Sequence, residues 1–187
     1  GVDGCVAVQA DQSPEETAFL LGLAEQHDMI KGVVGWIDLR AADISEQLQQ
    51  YALHPKLKGF RHIVQGEPDD RFLLGENFCR GIKALSRHHF TYDILVYPKQ
   101  LPAVEEFVPR FPEQPLVIDH LAKPDIKRGE LKAWAAHMRR IAQSPNVHCK
   151  LSGMVTEADW QQWEPAHFRP FREVTLEAFG PRRLMYG

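Results

Sequence analysis

Leu116-Val117-Ile118 is a β-branched apolar run that ends directly on Asp119 and His120. An Asp-His pair at the end of such a run can move protons near neutral pH or hold a metal through a neutral ring nitrogen. It can equally be a histidine satisfied by its neighbouring carboxylate. The same arrangement recurs along the chain. Gly59-Phe60 leads to Arg61 and His62, Lys150 lies between Cys149 and Leu151 just before Ser152, and Gln9, Asp11, Trp36, Asp38, Asp93 and Tyr97 stand at or near the ends of other apolar runs. Arg61 suits a carboxylate or a developing oxyanion, and its alternative is an ion pair with Asp93 or Asp119. Arg61 and His62 point to opposite faces of an extended strand, so only one of them can face a common interior. A lysine inside an apolar run must find a carboxylate or lose its proton.

Groups of this kind need elements that bring them together, and the apolar runs supply seven candidate strands. These are Cys5 to Gln9, Val33 to Ile37, Gly59 to Val64, Tyr92 to Val96, Leu116 to Asp119, Val147 to Leu151 and Arg183 to Tyr186. Helix-period segments run between them: Pro14 to His27, Ile44 to Leu53, Arg71 to His88, Gln100 to Phe111, Glu130 to Ala142 and Ala166 to Phe179. Ser13-Pro14-Glu15-Glu16 is a complete start signal, with an N-cap, a proline in the first turn and acidic residues at the positive end of the dipole. Continuous rather than alternating apolar strands indicate burial on both faces of a parallel sheet. The fold class is therefore α/β. An open doubly wound sheet would carry a glycine-rich loop after its first strand, and Gln9 to Ser13 contains no glycine. Seven strands alternating with six helices, with polar strand ends, predict an incomplete (β/α)8 barrel, strands two to eight, as one domain over residues 1–187.

With 44% hydrophobic residues and a net charge of -3, the chain shows neither a long apolar span nor a basic cluster. A small-molecule substrate is expected rather than nucleic acid or membrane. Cys5, Cys79 and Cys149 lie in no paired spacing, which predicts buried free thiols and a cytoplasmic location. The remaining histidines, His27, His54, His88, His89, His137, His148 and His167, are expected to face solvent. Ser152-Gly153 does not form a serine-hydrolase elbow. Both ends read as cut within a domain, since the chain opens without Met and stops on an apolar run.

Gly59-Phe60-Arg61-His62, Ile118-Asp119-His120-Leu121-Ala122-Lys123-Pro124, Lys150-Leu151-Ser152-Gly153 and Phe179 through Gly187 together resemble the amidohydrolase-2 family of TIM-barrel hydrolases. The resemblance covers the whole chain in order and is nearest to its sugar-lactone hydrolases, which implies a role in carbohydrate metabolism. It implies a first barrel strand with an H-x-H motif before Gly1 and a metal-binding or basic Asp after Gly187. It further implies a divalent metal, zinc, with His120 as a ligand. Arg61, His62, His120 and Lys150 would be catalytic, and Gln9, Trp36, Asp93, Tyr97 and Ser152 would contact a sugar-derived or related carboxylated lactone. A nonoxidative metal-dependent decarboxylase on the same fold is the enzyme alternative. A noncatalytic 187-residue fragment is the alternative of another kind.

Overall fold

The computed structural model describes residues 1–187. Strand and helix alternate from end to end: β1 (Cys5–Val8), α1 (Pro14–Gln26), β2 (Ile30–Gly35), α2 (Ile44–Tyr51), β3 (Leu57–Ile63), α3 (Glu76–Arg87) and β4 (Thr91–Leu95), then α4 (Leu101–Phe107), β5 (Leu116–Ile118), α5 (Lys132–Ile141), β6 (Val147–Leu151), α6 (Pro165–Phe179) and β7 (Leu184–Tyr186). All seven strands pair in parallel and in chain order, β1 to β7. This is the wall of an α/β barrel from its second strand to its eighth. It stays open, because β1 and β7 do not pair with each other.

The sheet curls around one face. Arg61 on β3 bonds Gln9 beyond β1 and Asp119 beyond β5, and Lys150 on β6 bonds Asp93 on β4. Each pair lies two strands apart, about 9.6 Å across a flat sheet, so side chains meet directly only over a concave surface. The convex face carries the core. Phe60, Tyr92, Ile94, Leu116, Ile118, Val147 and Cys149 pack there with Phe78, Phe107 and Trp134 of the helices.

Local signals explain most boundaries. α1 begins where expected, with Ser13 Oγ accepting from the Glu16 N–H at 3.2 Å. The segment expected to be one helix from Arg71 to His88 divides into a short turn, Phe72–Leu74, and α3, because Gly75 adopts an extended conformation between them. Pro109 turns the end of α4 into a tighter final turn at Val108–Arg110. β2 starts at Ile30, earlier than its apolar pattern suggests, because Ile30 and Gly32 pair with Cys5 and Val6 of β1, with Lys31 bulged between them, although Lys31 and Gly32 interrupt that pattern.

The expectation of buried thiols holds only for Cys149. Cys5 is exposed on the edge strand β1 and Cys79 is half-buried, and all three are free. Three histidines also depart from a fully solvent-facing role: His88 is half-buried beside Phe90, His137 pairs with Glu105, and His148 is half-buried on β6. No helix is long and apolar enough to cross a membrane.

Candidate active site

Strand register decides which polar groups share the concave face. Arg61 is the register partner of Asp93, Asp93 of Val117, and Val117 of His148. Side chains repeat their direction every second residue, so Asp119 and Lys150, each two positions further on, join the same face. Their side chains are nearly removed from solvent: Asp119 0%, Asp93 3%, Arg61 11% and Lys150 12% exposed.

Buried charges persist only when paired, and these four are paired throughout. Arg61 Nη1 donates to Asp119 Oδ2 at 2.7 Å, its Nε donates to Gln9 Oε1 at 3.0 Å, and its Nη2 reaches both Gln9 Oε1 and the Gln9 carbonyl. Four of the five guanidinium N–H groups are thereby used. Lys150 Nζ donates to Asp93 Oδ2 at 2.6 Å and lies 2.6 Å from Asp119 Oδ1. One ammonium N–H remains for another acceptor.

The proton affinities follow from this crowding. Burial first, and the Asp119 charge second, push the Asp93 carboxyl up to about 6, past the lowering exerted by Lys150. Burial opposes the Lys150 charge, but Asp93 and then Asp119 outweigh it and raise the lysine above its ordinary value. Lys150 is thus a cation throughout the neutral range, and Asp93 gains or loses a proton just below it.

His120 arrives by an unusual backbone. His120, Leu121, Ala122 and Lys123 all have positive φ, at 50°, 56°, 54° and 52°, forming a left-handed turn without a glycine. That conformation costs an L-residue roughly 1–2 kcal/mol. The turn is held by a buried hydrogen bond from Trp134 Nε1 to the Leu121 carbonyl (2.7 Å) and by Lys123 Nζ bonding Thr156 Oγ1 and Glu157 Oε1. Its effect is to set His120 Nδ1 2.8 Å from Ser152 Oγ, while Nε2 makes no hydrogen bond within the chain. Gly153 completes the fit, because a Cβ there would lie 2.7 Å from His120 Cβ. Burial lowers the His120 pKa, so its ring is neutral at neutral pH.

The structure therefore brings together Arg61, Asp93, His120, Lys150, Ser152 and Gln9. It adds Asp119, which bridges the two cations and was legible as a carboxylate at the end of an apolar run. His62 does not join them. It lies on the helix-facing side of β3, 4% exposed, stacked on Phe72 at 4.7 Å and bonded to Trp36 and Glu67. Trp36 is half-buried beyond the end of β2. Tyr97 is 40% exposed beyond β4, with its backbone N–H on Gln100 Oε1. A separate cleft of about 310 Å³, lined by Glu25, Asp28, His54 and Lys56, occupies the opposite rim, where strands begin.

These residues do not form a metal site by themselves. A zinc centre takes three or four N, O or S ligands. No three His, Cys, Asp or Glu side chains converge, Asp93 and Asp119 are engaged by cations, and His120 offers one free nitrogen.

Residues 1–187 match the Amidohydrolase family throughout. The chain belongs to that family. It is 43% identical over 192 residues to an L-fucono-1,5-lactonase of Burkholderia multivorans, covering 97% of this chain and 64% of that protein. An L-fucono-1,5-lactonase of Burkholderia ambifaria is 37% identical over 187 residues, covering 100% of this chain and 64% of the relative. This amidohydrolase thus spans less than two thirds of the lactonases that it resembles. A crystal structure of a Burkholderia multivorans amidohydrolase with bound zinc superposes with a TM-score of 0.93 at 42% identity, over 99% of this chain and 67% of the other.

Proposed function

We propose that the intact protein hydrolyses a sugar-derived or related carboxylated lactone, taken up as a free small molecule. The observation that carries this reading is the placement of a neutral, Ser152-bonded His120 beside a lysine held cationic by two buried carboxylates, at the strand ends of an amidohydrolase wall. The names of the two Burkholderia relatives support the lactone as the substrate class.

Lactone opening joins a water oxygen to the carbonyl carbon and breaks the bond from that carbon to the ring oxygen. Negative charge develops on the carbonyl oxygen, and the spare N–H of Lys150 is a fixed cationic donor suited to it. Neutral His120 accepts a proton through Nε2 and returns it to the departing ring oxygen, while Ser152 fixes the ring plane through Nδ1. Arg61, with a single N–H to spare, acts chiefly by holding Asp119 and Gln9 in place. The zinc of the related structure is compatible with further ligands from outside these residues, and no step above depends on it. Three free cysteines fit a reducing cytoplasm.

The test offers the intact protein a panel of sugar lactones and a panel of aromatic carboxylic acids. Proton release from a sugar lactone, without carbon dioxide from any acid, is the expected result. Carbon dioxide release would replace this reading with a decarboxylase.

A further inference from the structure

His62 is a buried ionisable group that the reaction outlined above does not use, and its surroundings are specific. An indole N–H can only donate, so Trp36 Nε1, 3.2 Å away, donates to His62 Nδ1. The histidine proton then sits on Nε2 and is donated to Glu67 Oε1 at 2.6 Å. The imidazole itself is held between rings, stacked on Phe72 and set edge-on to Phe78 at 6.1 Å. The backbone of Trp36 is pinned as well: Thr17 Oγ1 accepts from its N–H and donates to its carbonyl, both at 2.8 Å. Every polar atom of Trp36 is thus fixed, yet the residue remains half-exposed.

Its position makes that rigidity useful. Arg61 on β3 reaches across β2 to Gln9 beyond β1, so the Arg61–Gln9 clamp passes over the end of β2, and Trp36 is the first residue after that strand. A rigid, amphipathic ring at the rim of a polar cluster is a platform for the C–H face of a sugar ring.

We propose that Trp36 is a substrate-contacting platform that selects the sugar portion of the lactone, and that His62, backed by Glu67, is the positioning residue that fixes its indole. This rests on the sugar-lactone reading above. Glu67–His62–Trp36 is a relay of orientation, and its loss leaves the reacting groups in place while the platform turns freely.

The test is steady-state kinetics of the intact protein with a sugar lactone and with a small unsubstituted lactone. His62→Phe keeps the stack on Phe72 and removes both hydrogen bonds, while His62→Asn keeps an acceptor near the Nδ1 position. Loss of one aligned aromatic contact corresponds to about a five- to tenfold rise in KM. The expected result is that rise for His62→Phe with the sugar lactone, a nearly unchanged kcat, recovery in His62→Asn, and no KM change with the small lactone. Equal effects on both lactones, or a fall in kcat with KM constant, would overturn the proposal.

Should His62→Phe fail to fold, the indole ¹⁵N–H resonance of Trp36, assigned with Trp36→Phe, supplies a second measurement. It is expected to shift when the open-chain sugar acid is added to the unsubstituted protein, and an unmoved resonance would overturn the platform. A protein that opens no sugar lactone while this resonance still responds to the sugar acid would contradict the lactonase reading and leave the platform standing.

Discussion

Arg61 makes the buried network sensitive to single substitutions, because Asp119 has no access to water and leans on two cations. Removing one partner of a buried pair leaves a charge uncompensated at a cost of about 3–5 kcal/mol. Arg61→Ala is accordingly expected to lose about that much stability in urea unfolding. Arg71→Ala, which breaks an exposed, solvent-screened pair with Glu106, should leave the urea midpoint nearly unchanged.

Asp93 gives the network a pH signature. Its folded-state pKa, about 6, lies above the ordinary carboxyl value of 3.8, so between these limits the folded protein holds the proton more tightly than the unfolded chain does. Its contribution is complete below the lower limit and is lost as pH rises through the upper one. Urea titrations from pH 4 to pH 7 should show a fall in stability attributable to Asp93 that is absent in Asp93→Asn. An identical profile in both proteins would show that Asp93 is not raised. Strand alternation made much of this cluster legible in advance: Arg61, Asp93 and Lys150 are polar residues with the correct parity inside apolar runs. The same alternation allows only one of Arg61 and His62 to face the interior, and packing assigns that role to Arg61, since the flat imidazole fills the space against Phe72.

Among the elements, the left-handed turn after β5 departs furthest from local preference. Nothing in His120-Leu121-Ala122-Lys123 announces it, because positive φ is signalled by glycine and none is present. The conformation is imposed from outside, by Trp134 on α5 and by Glu157 beyond β6, contacts that pattern reading along the chain does not anticipate. Strain that the surroundings maintain is a mark of a functional segment. Ala122 is also fully buried, so Ala122→Gly relieves the strain while giving up about 0.8 kcal/mol of buried methyl and adding freedom to the unfolded chain; these offset, and the variant should lie within about 0.5 kcal/mol of the parent in urea unfolding. A loss of about 1.5 kcal/mol or more would mean that the turn is not strained at that residue. The strands themselves were easier to read, because burial on both faces of a parallel sheet leaves continuous apolar runs. The divided segment before α3 was missed because Gly75 within a helical pattern can be tolerated or can end the helix, and here it takes the extended form.

For the whole molecule, the open wall is the feature with physical consequences. β1 and β7 each have one unpaired edge, with Val6 52% and Tyr186 95% exposed. Unpaired parallel edges with apolar side chains invite further strands. The 187-residue polypeptide on its own is expected to self-associate with concentration in sedimentation velocity, and a single monomeric species at all concentrations would contradict this. The alternation of strand and helix, and the rim on which the chemistry stands, were evident from residue order. The open wall was legible as a missing unit in the count.

The central claim is that His120, set by its left-handed turn against Ser152, handles the proton in lactone opening. The most direct measurement is kcat for sugar-lactone ring opening, followed by proton release, in the intact protein and in His120→Asn. General acid–base catalysis contributes about 100- to 10,000-fold, so a loss within that range is predicted for the variant. A variant with undiminished kcat, or an unsubstituted protein that opens no sugar lactone, would contradict the account.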